Sequence, residues 1–152
     1  MKKLAQSILE FSFVFLIIMS IFLSIIELSL FWRAKHSVVN IANEIIANIQ
    51  IQAQNTKSTS EIGACALKTV EKSAGLLNLE GTSFTLNGNN NYYTITSNFK
   101  KKDKSALSVF ISINNLEKND ISAGVSYIYS GIFLYQKGKE IFSGPIQSIQ
   151  KF

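Results

Sequence analysis

Two glutamates stand in the most apolar part of this chain. Glu10 enters, and Glu27 lies late in, a run that has no Lys or Arg between Lys3 and Arg33; 17 of the 22 residues from Phe11 to Trp32 are apolar. A carboxylate is unfavourable there. At the centre of a membrane helix it costs about 2.5–3.5 kcal/mol, and less near an interface. Glu10 therefore has two readings: it sits at headgroup depth near Lys3, or it finds a cation. The second follows if the chain is cut between Ala5 and Gln6. Gln6 then becomes the first residue and Glu10 the fifth. The new α-amine, with an ordinary pKa near 7.7–8.0, is available to neutralise the carboxylate in the same or a neighbouring subunit.

Glu27 has a different setting. Ser20, Ser24 and Glu27 recur at i, i+4 and i+7, which puts them on one helical face. Lipid is as apolar as leucine, so membrane helices associate through small residues and hydrogen bonds. The seam is thus a contact face for another transmembrane helix, an identical one included, and a homo-oligomer is one outcome. The other reading is that the serines bond their own i−4 carbonyls.

Little else in the chain offers reactive chemistry. One His, one Cys and one Pro exclude a disulfide framework, a zinc cluster of ordinary spacing and a proline-rich linker. His36 follows Trp32 and Arg33 and reads as an interfacial residue. Cys65 reads as a small buried apolar side chain, or as half of an intermolecular disulfide on an oxidising exterior. No phosphate loop, metal-ligand cluster or nucleophile motif is evident, so neither a cofactor, a metal nor an enzymatic activity is expected. The one charge run, Lys100-Lys101-Lys102-Asp103-Lys104, reads as a solvated hairpin tip. Tyr92, Tyr93 and Phe99 lie near it without a base-stacking motif, so nucleic acid is not an expected partner.

The elements that carry these residues divide the chain in two. Residues 1–32 hold 22 apolar side chains and balance Lys2 and Lys3 against Glu10 and Glu27, so the net charge of +5 belongs wholly to residues 33–152. The stretch 11–32 is long enough to cross a bilayer core of about 30 Å once. It is longer than the apolar core of a cleaved secretory signal, and Leu28-Ser29-Leu30-Phe31-Trp32-Arg33 lacks a small-residue cleavage site. It therefore reads as a retained anchor, with Trp32 and Arg33 at headgroup level and the C-terminal domain translocated.

The opening Lys2-Lys3-Leu4-Ala5-Gln6-Ser7-Ile8-Leu9-Glu10-Phe11 resembles the class III signal of type IV pilin-like proteins. Together with the Phe/Leu/Ile run up to Ile25-Ile26-Glu27-Leu28, it is similar to the TadE-like pseudopilins of tight-adherence (Flp) systems, over about residues 2–45. The resemblance implies a leader at 1–5, removed by a prepilin peptidase between Ala5 and Gln6. It also implies residence in the inner (cytoplasmic) membrane. Other pilin-like subunits would be contacted through Glu10, Phe11, Ser20, Ser24 and Glu27, in support of an adhesive pilus or related secretion apparatus. Ala5 stands where that family usually has glycine, and the family's early proline is absent. A new N-terminal Gln6 can also cyclise and consume the amine. The alternative is an unprocessed single-pass envelope protein or adhesin with an extracytoplasmic β-rich binding domain.

The predicted fold class is α+β. One helix over 6–54 spans the membrane at about 11–32 and then turns amphipathic, with Val38, Ala42, Ile45 and Ile49 apolar and Val39 and Ile46 beside them. A linker and short helix occupy 55–81, the helix over 61–77 with Ile62, Ala66, Val70 and Leu77 inward. A β domain follows at 82–152, with strands at 83–87, 92–99, 107–113, 125–135 and 140–149. Turns are expected at Asn87–Asn91 and Gln136–Lys139. The product is an antiparallel sheet of four or five strands packed on the long helix, as in pilin-like proteins.

Overall fold

A computed structural model describes residues 2–55, 58–77, 79, 82–89, 91–98, 107–115, 120–129 and 139–147. The Lys100–Lys104 run, most of the turn at 136–139, and the expected strand ends at 130–135 and 148–149 lie outside the described residues.

No glycine or proline interrupts the chain before Gly63, and it forms one helix, α1, over Lys2–Asn55. At 1.5 Å per residue this helix is about 80 Å long. The polar stretch that starts at Asn55 ends it. Ser58, in an extended conformation, precedes α2 at Thr59–Ser73. Glu61 in the first turn of α2 and Lys72 in its last are placed to complement the helix dipole. α2 starts two residues earlier than the apolar spacing indicates and tightens into a 3₁₀ turn at Ala74–Leu77, across Gly75.

The strands are β1 (Ser83–Asn89), β2 (Tyr92–Asn98), β3 (Leu107–Asn115), β4 (Asp120–Tyr129), β5 (Lys139–Phe142) and β6 (Ile146–Gln147). They form an antiparallel meander in the order β1-β2-β3-β4-β5, with β6 also paired to β4. The β1–β2 hairpin turns where the asparagines signal it. The Asn89 side-chain oxygen accepts from the amides of Asn91 and Tyr92 at 3.3 and 3.2 Å, holding the strand ends together at the Asn89–Tyr92 pair.

β1 and β3 each run two residues past their expected ends, to Asn89 and Asn115, and two strand expectations differ more deeply from the observed elements. β4 begins at Asp120 rather than Val125, because the inward alternation of Val125 and Tyr127 extends back through Ala123 and Ile121. Gly124, Ser122 and Asp120 dilute that signal. The last expected strand is two strands on one side of β4. Between the Ser126–Phe142 and Ala123–Ile146 pairs, three residues of this segment face two of β4, so one is extra. Gly144 takes a φ of 78°, which favours glycine, and Pro145 lies on the sheet edge, where a missing amide is tolerated. The amide of Ser143 still donates to the Val125 carbonyl at 2.9 Å, and the amide of Val125 donates to the Ser143 hydroxyl at 3.0 Å. The ladder is bridged across the bulge.

The fold is therefore two layers, helices on one face of a sheet. Tyr93 and Ile95 of β2, Leu107, Val109, Ile111 and Ile113 of β3, and Ile121, Ala123, Val125 and Tyr127 of β4 all point inward at the period of two. The facing stripe of α1 is Ala34, Val38, Ile41, Ala42, Ile45, Ile46 and Ile49. Ile41, absent from the expected stripe, is fully buried, whereas Val39 is only half-buried. α2 fills the corner beside α1. A Cβ on Gly63 would come within 3.1 Å of the Tyr93 ring, so glycine permits the close approach of α2 to the sheet.

The two helices also share a polar seam. The Ser73 hydroxyl donates to the Glu44 carboxylate at 2.8 Å. One turn further along α1, Asn48 Nδ2 donates to Thr69 Oγ1 at 3.1 Å. Cys65 adds a weak S–H contact to the Asn48 carbonyl at 3.8 Å. Positions 44 and 48 on one helix meet 73, 69 and 65 on the other, the antiparallel register of i, i+4 faces.

Candidate functional site

The chemistry-bearing residues lie on the N-terminal half of α1 and at its junction with the sheet. From Gln6 to Ile26 every side chain is exposed except the half-buried Leu23. Phe11 and Phe15 stack on each other at 6.4 Å between centroids and otherwise face outward, as do Val14, Ile18, Phe22 and Ile25. A helix that is apolar over most of its circumference, with every side chain but Leu23 exposed, is suited to lipid or to other helices. Its length and composition are sufficient to cross a membrane once.

Glu10 is exposed on this helix and accepts a hydrogen bond from Gln6 Nε2 at 3.1 Å, one turn away. Ala5 is part of α1, and its side chain lies outside the described residues. Ser12, Ser20 and Ser24 each donate to the carbonyl four residues back at 2.8 Å. This satisfies each hydroxyl within the helix and leaves Ser20 and Ser24 exposed.

Glu27 is set apart from the serines with which it shares a face. It is 8% exposed, because the sheet reaches back along α1 to cover it. Tyr129, the last residue of β4, donates its hydroxyl to Glu27 Oε1 at 3.3 Å, joining positions 102 residues apart. Phe31, one turn further along α1, meets the Tyr129 ring edge-on at 5.7 Å and 79°. A buried carboxylate needs such a donor, since an unpaired one would carry a large desolvation cost. Burial first, and then the negative charge and hydrogen bond of Glu27, push the Tyr129 hydroxyl above its ordinary pKa.

This contact has a pH consequence. A tyrosine whose pKa is raised by folding contributes stability that is present below about pH 10 and is lost as pH rises through the folded value. Tyr129→Phe should therefore flatten the alkaline fall in stability relative to wild type. Denaturant midpoints of the full chain at pH 8 and pH 11 measure this. Equal alkaline losses in the two proteins would show that the Tyr129 hydroxyl is not linked to folding.

On the outward side of the junction, Lys35 Nζ lies 5.0 Å above the Trp32 ring, and His36 packs on the same ring at 6.2 Å. Trp32 is 48% exposed, and Arg33, Lys35 and His36 are exposed. Cys65 is half-buried at the α1–α2 seam. Among the described residues no group of three or more His, Cys, Asp or Glu is placed to hold a metal ion.

The structure thus places Glu10, Phe11, Ser20 and Ser24 on the exposed helix and brings only Glu27 against the chain's own domain. Sequence reading did not identify Tyr129 and Phe31 as its partners. Nothing local to residue 129 signals a contact with residue 27, and only the inward alternation of β4 placed it near the core at all. The long apolar helix packed on an antiparallel sheet is a pilin-like architecture. The chain matches no protein-family model, no curated protein and no solved structure.

Proposed function

We propose that this protein is a non-enzymatic, pseudopilin-like component of the inner (cytoplasmic) membrane. It supports assembly of a tight-adherence (Flp-type) pilus or a related secretion apparatus, with its sheet domain outside the membrane. One observation carries the reading. A single helix is exposed and apolar from Gln6 to Ile26 with Glu10 as its one charged side chain, and it runs unbroken into the half that forms the core of a sheet domain. Such a helix presents one end to lipid and partner helices while the other end is fixed in a folded head. The pilin-like plan agrees with this and by itself says little about function. The motif ending in Glu10-Phe11 supplies the specific part.

The reading requires processing. A prepilin peptidase is expected to cut between Ala5 and Gln6, so the mature chain begins at Gln6 or its cyclised form. Intact-mass and N-terminal peptide measurements on the membrane fraction test this. Finding only chains that begin at Met1 or Lys2 would eliminate the processed reading and leave an unprocessed, single-pass anchored protein.

A further inference from the structure

Hydropathy and the flanking cations assign 11–32 to lipid, yet the sheet domain already covers Glu27 and packs on Phe31 within that stretch. Both assignments cannot hold. Tyr129, which meets Glu27 and Phe31, pairs with Lys139 of the edge strand β5. Taking Glu27 and Phe31 into hydrocarbon would draw in with them the end of β4 and the strand β5, which is the edge strand among the described residues. Unsatisfied edge amides and carbonyls do not enter the hydrocarbon layer. The bilayer must therefore end before Glu27. The exposed helix from Gln6 to Ile26 rises about 31 Å, enough for a hydrocarbon core of about 30 Å without using Glu27–Trp32.

We infer that the sheet domain rests directly on the membrane surface, with the Glu27–Tyr129–Phe31 contact at headgroup depth, and that the hydrocarbon-embedded segment is Gln6–Ile26. The partner of this junction is a lipid surface. Trp32 lies about 9 Å beyond Ile26 along the helix, at the outer limit of the headgroup layer. Trp32 and Arg33 present an aromatic and a cation at that level, and Lys35 and His36, about 14–15 Å beyond Ile26, follow on its aqueous side, all on exposed positions of α1. The hydrogen bond from Tyr129 makes Glu27 a positioning residue, holding the head in a set place relative to the anchor.

This inference rests on the membrane reading above, and its test separates the two. In full-length chains carrying Cys65→Ser, single cysteines are placed at Ser24, Ser29 and Lys35, all exposed positions on α1. Intact membranes are then treated with a membrane-impermeant maleimide from the domain side. Lys35→Cys and Ser29→Cys should label, with Ser24→Cys slower by about tenfold or more, because a thiol in hydrocarbon does not ionise. Labelling at Lys35→Cys alone would put the boundary near Trp32 and overturn the inference while leaving the membrane reading intact. Labelling at all three positions, with the protein released by alkaline carbonate, would overturn both.

Discussion

Glu10→Val is expected to leave the protein in the membrane and to abolish its assembly with other pilin-like subunits. The two halves of this outcome have separate causes. Removing a carboxylate from an apolar helix makes insertion easier, by up to about 2.5–3.5 kcal/mol at full depth, so a loss of function cannot be assigned to failed anchoring. What valine removes is the one negative charge between Gln6 and Ile26. In a processed chain, Gln6 would bear an α-amine one turn from Glu10, and a neighbouring subunit's amine offers the same partner across a helix contact. In low dielectric such a pair is far stronger than at a solvated surface. The uncleaved chain already has the geometry for a local contact, since the Gln6 side chain donates to Glu10 at 3.1 Å. Glu10→Gln should fail as valine does, because it keeps the shape and loses the charge. Crosslinking or co-purification of subunits from membranes is the measurement. Wild-type assembly of both variants would return Glu10 to the reading of an edge charge at headgroup depth.

The second large effect is on the folded domain. Ile45→Ala should lower its stability by about 2–5 kcal/mol, the usual cost of emptying a well-packed site. Ile45 is fully buried under the sheet, in the stripe that includes Val38, Ile41 and Ile49. Since whole domains are stable by only about 5–15 kcal/mol, this one truncation should be visible as a large drop in denaturation midpoint. Ile51 is the internal control. It lies six positions further along the same helix, is 60% exposed, and its alanine variant should stay within about 0.5 kcal/mol of wild type. Unfolding of the full chain in detergent, followed by tyrosine and tryptophan signals, measures both. Equal effects would mean that the second half of α1 is not the core layer of the domain.

Much of this architecture was legible in the residues. Val38, Ala42, Ile45 and Ile49 mark the buried stripe because a helix turns 3.6 residues at a time, and Leu107–Ile113 marks β3 because a strand alternates. The asparagines at 87–91 mark their hairpin because their side chains bond the local backbone. The start of β4 was not legible. Its inward set of Ile121 and Ala123 is interleaved with Ser122 and Gly124, and a Cβ at Gly124 would lie 3.1 Å from the Phe142 ring across the strand pair. That glycine answers to a neighbour 18 positions away rather than to strand propensity. The division at Gly144 and Pro145 carries a local signal, since a Gly-Pro dipeptide marks a break, but that both halves pair with the same strand β4 is decided by the sheet.

The candidate site divides along the same line. Sequence by itself determined that there is one anchor-length apolar helix, that Glu10 and Glu27 are its exceptional residues, and that a strand-rich domain follows. Each of these is a property of near neighbours in the chain, set by hydropathy and period. Only the tertiary structure decided where the exposed part of the helix gives way to the part covered by the sheet domain. Ser20, Ser24 and Glu27 share a helical face, and periodicity treats them alike. Folding separates them, because the hydroxyls are satisfied by their own helix four residues back whereas a buried carboxylate requires a donor from elsewhere. Tyr129 supplies it only after four strands have been laid side by side.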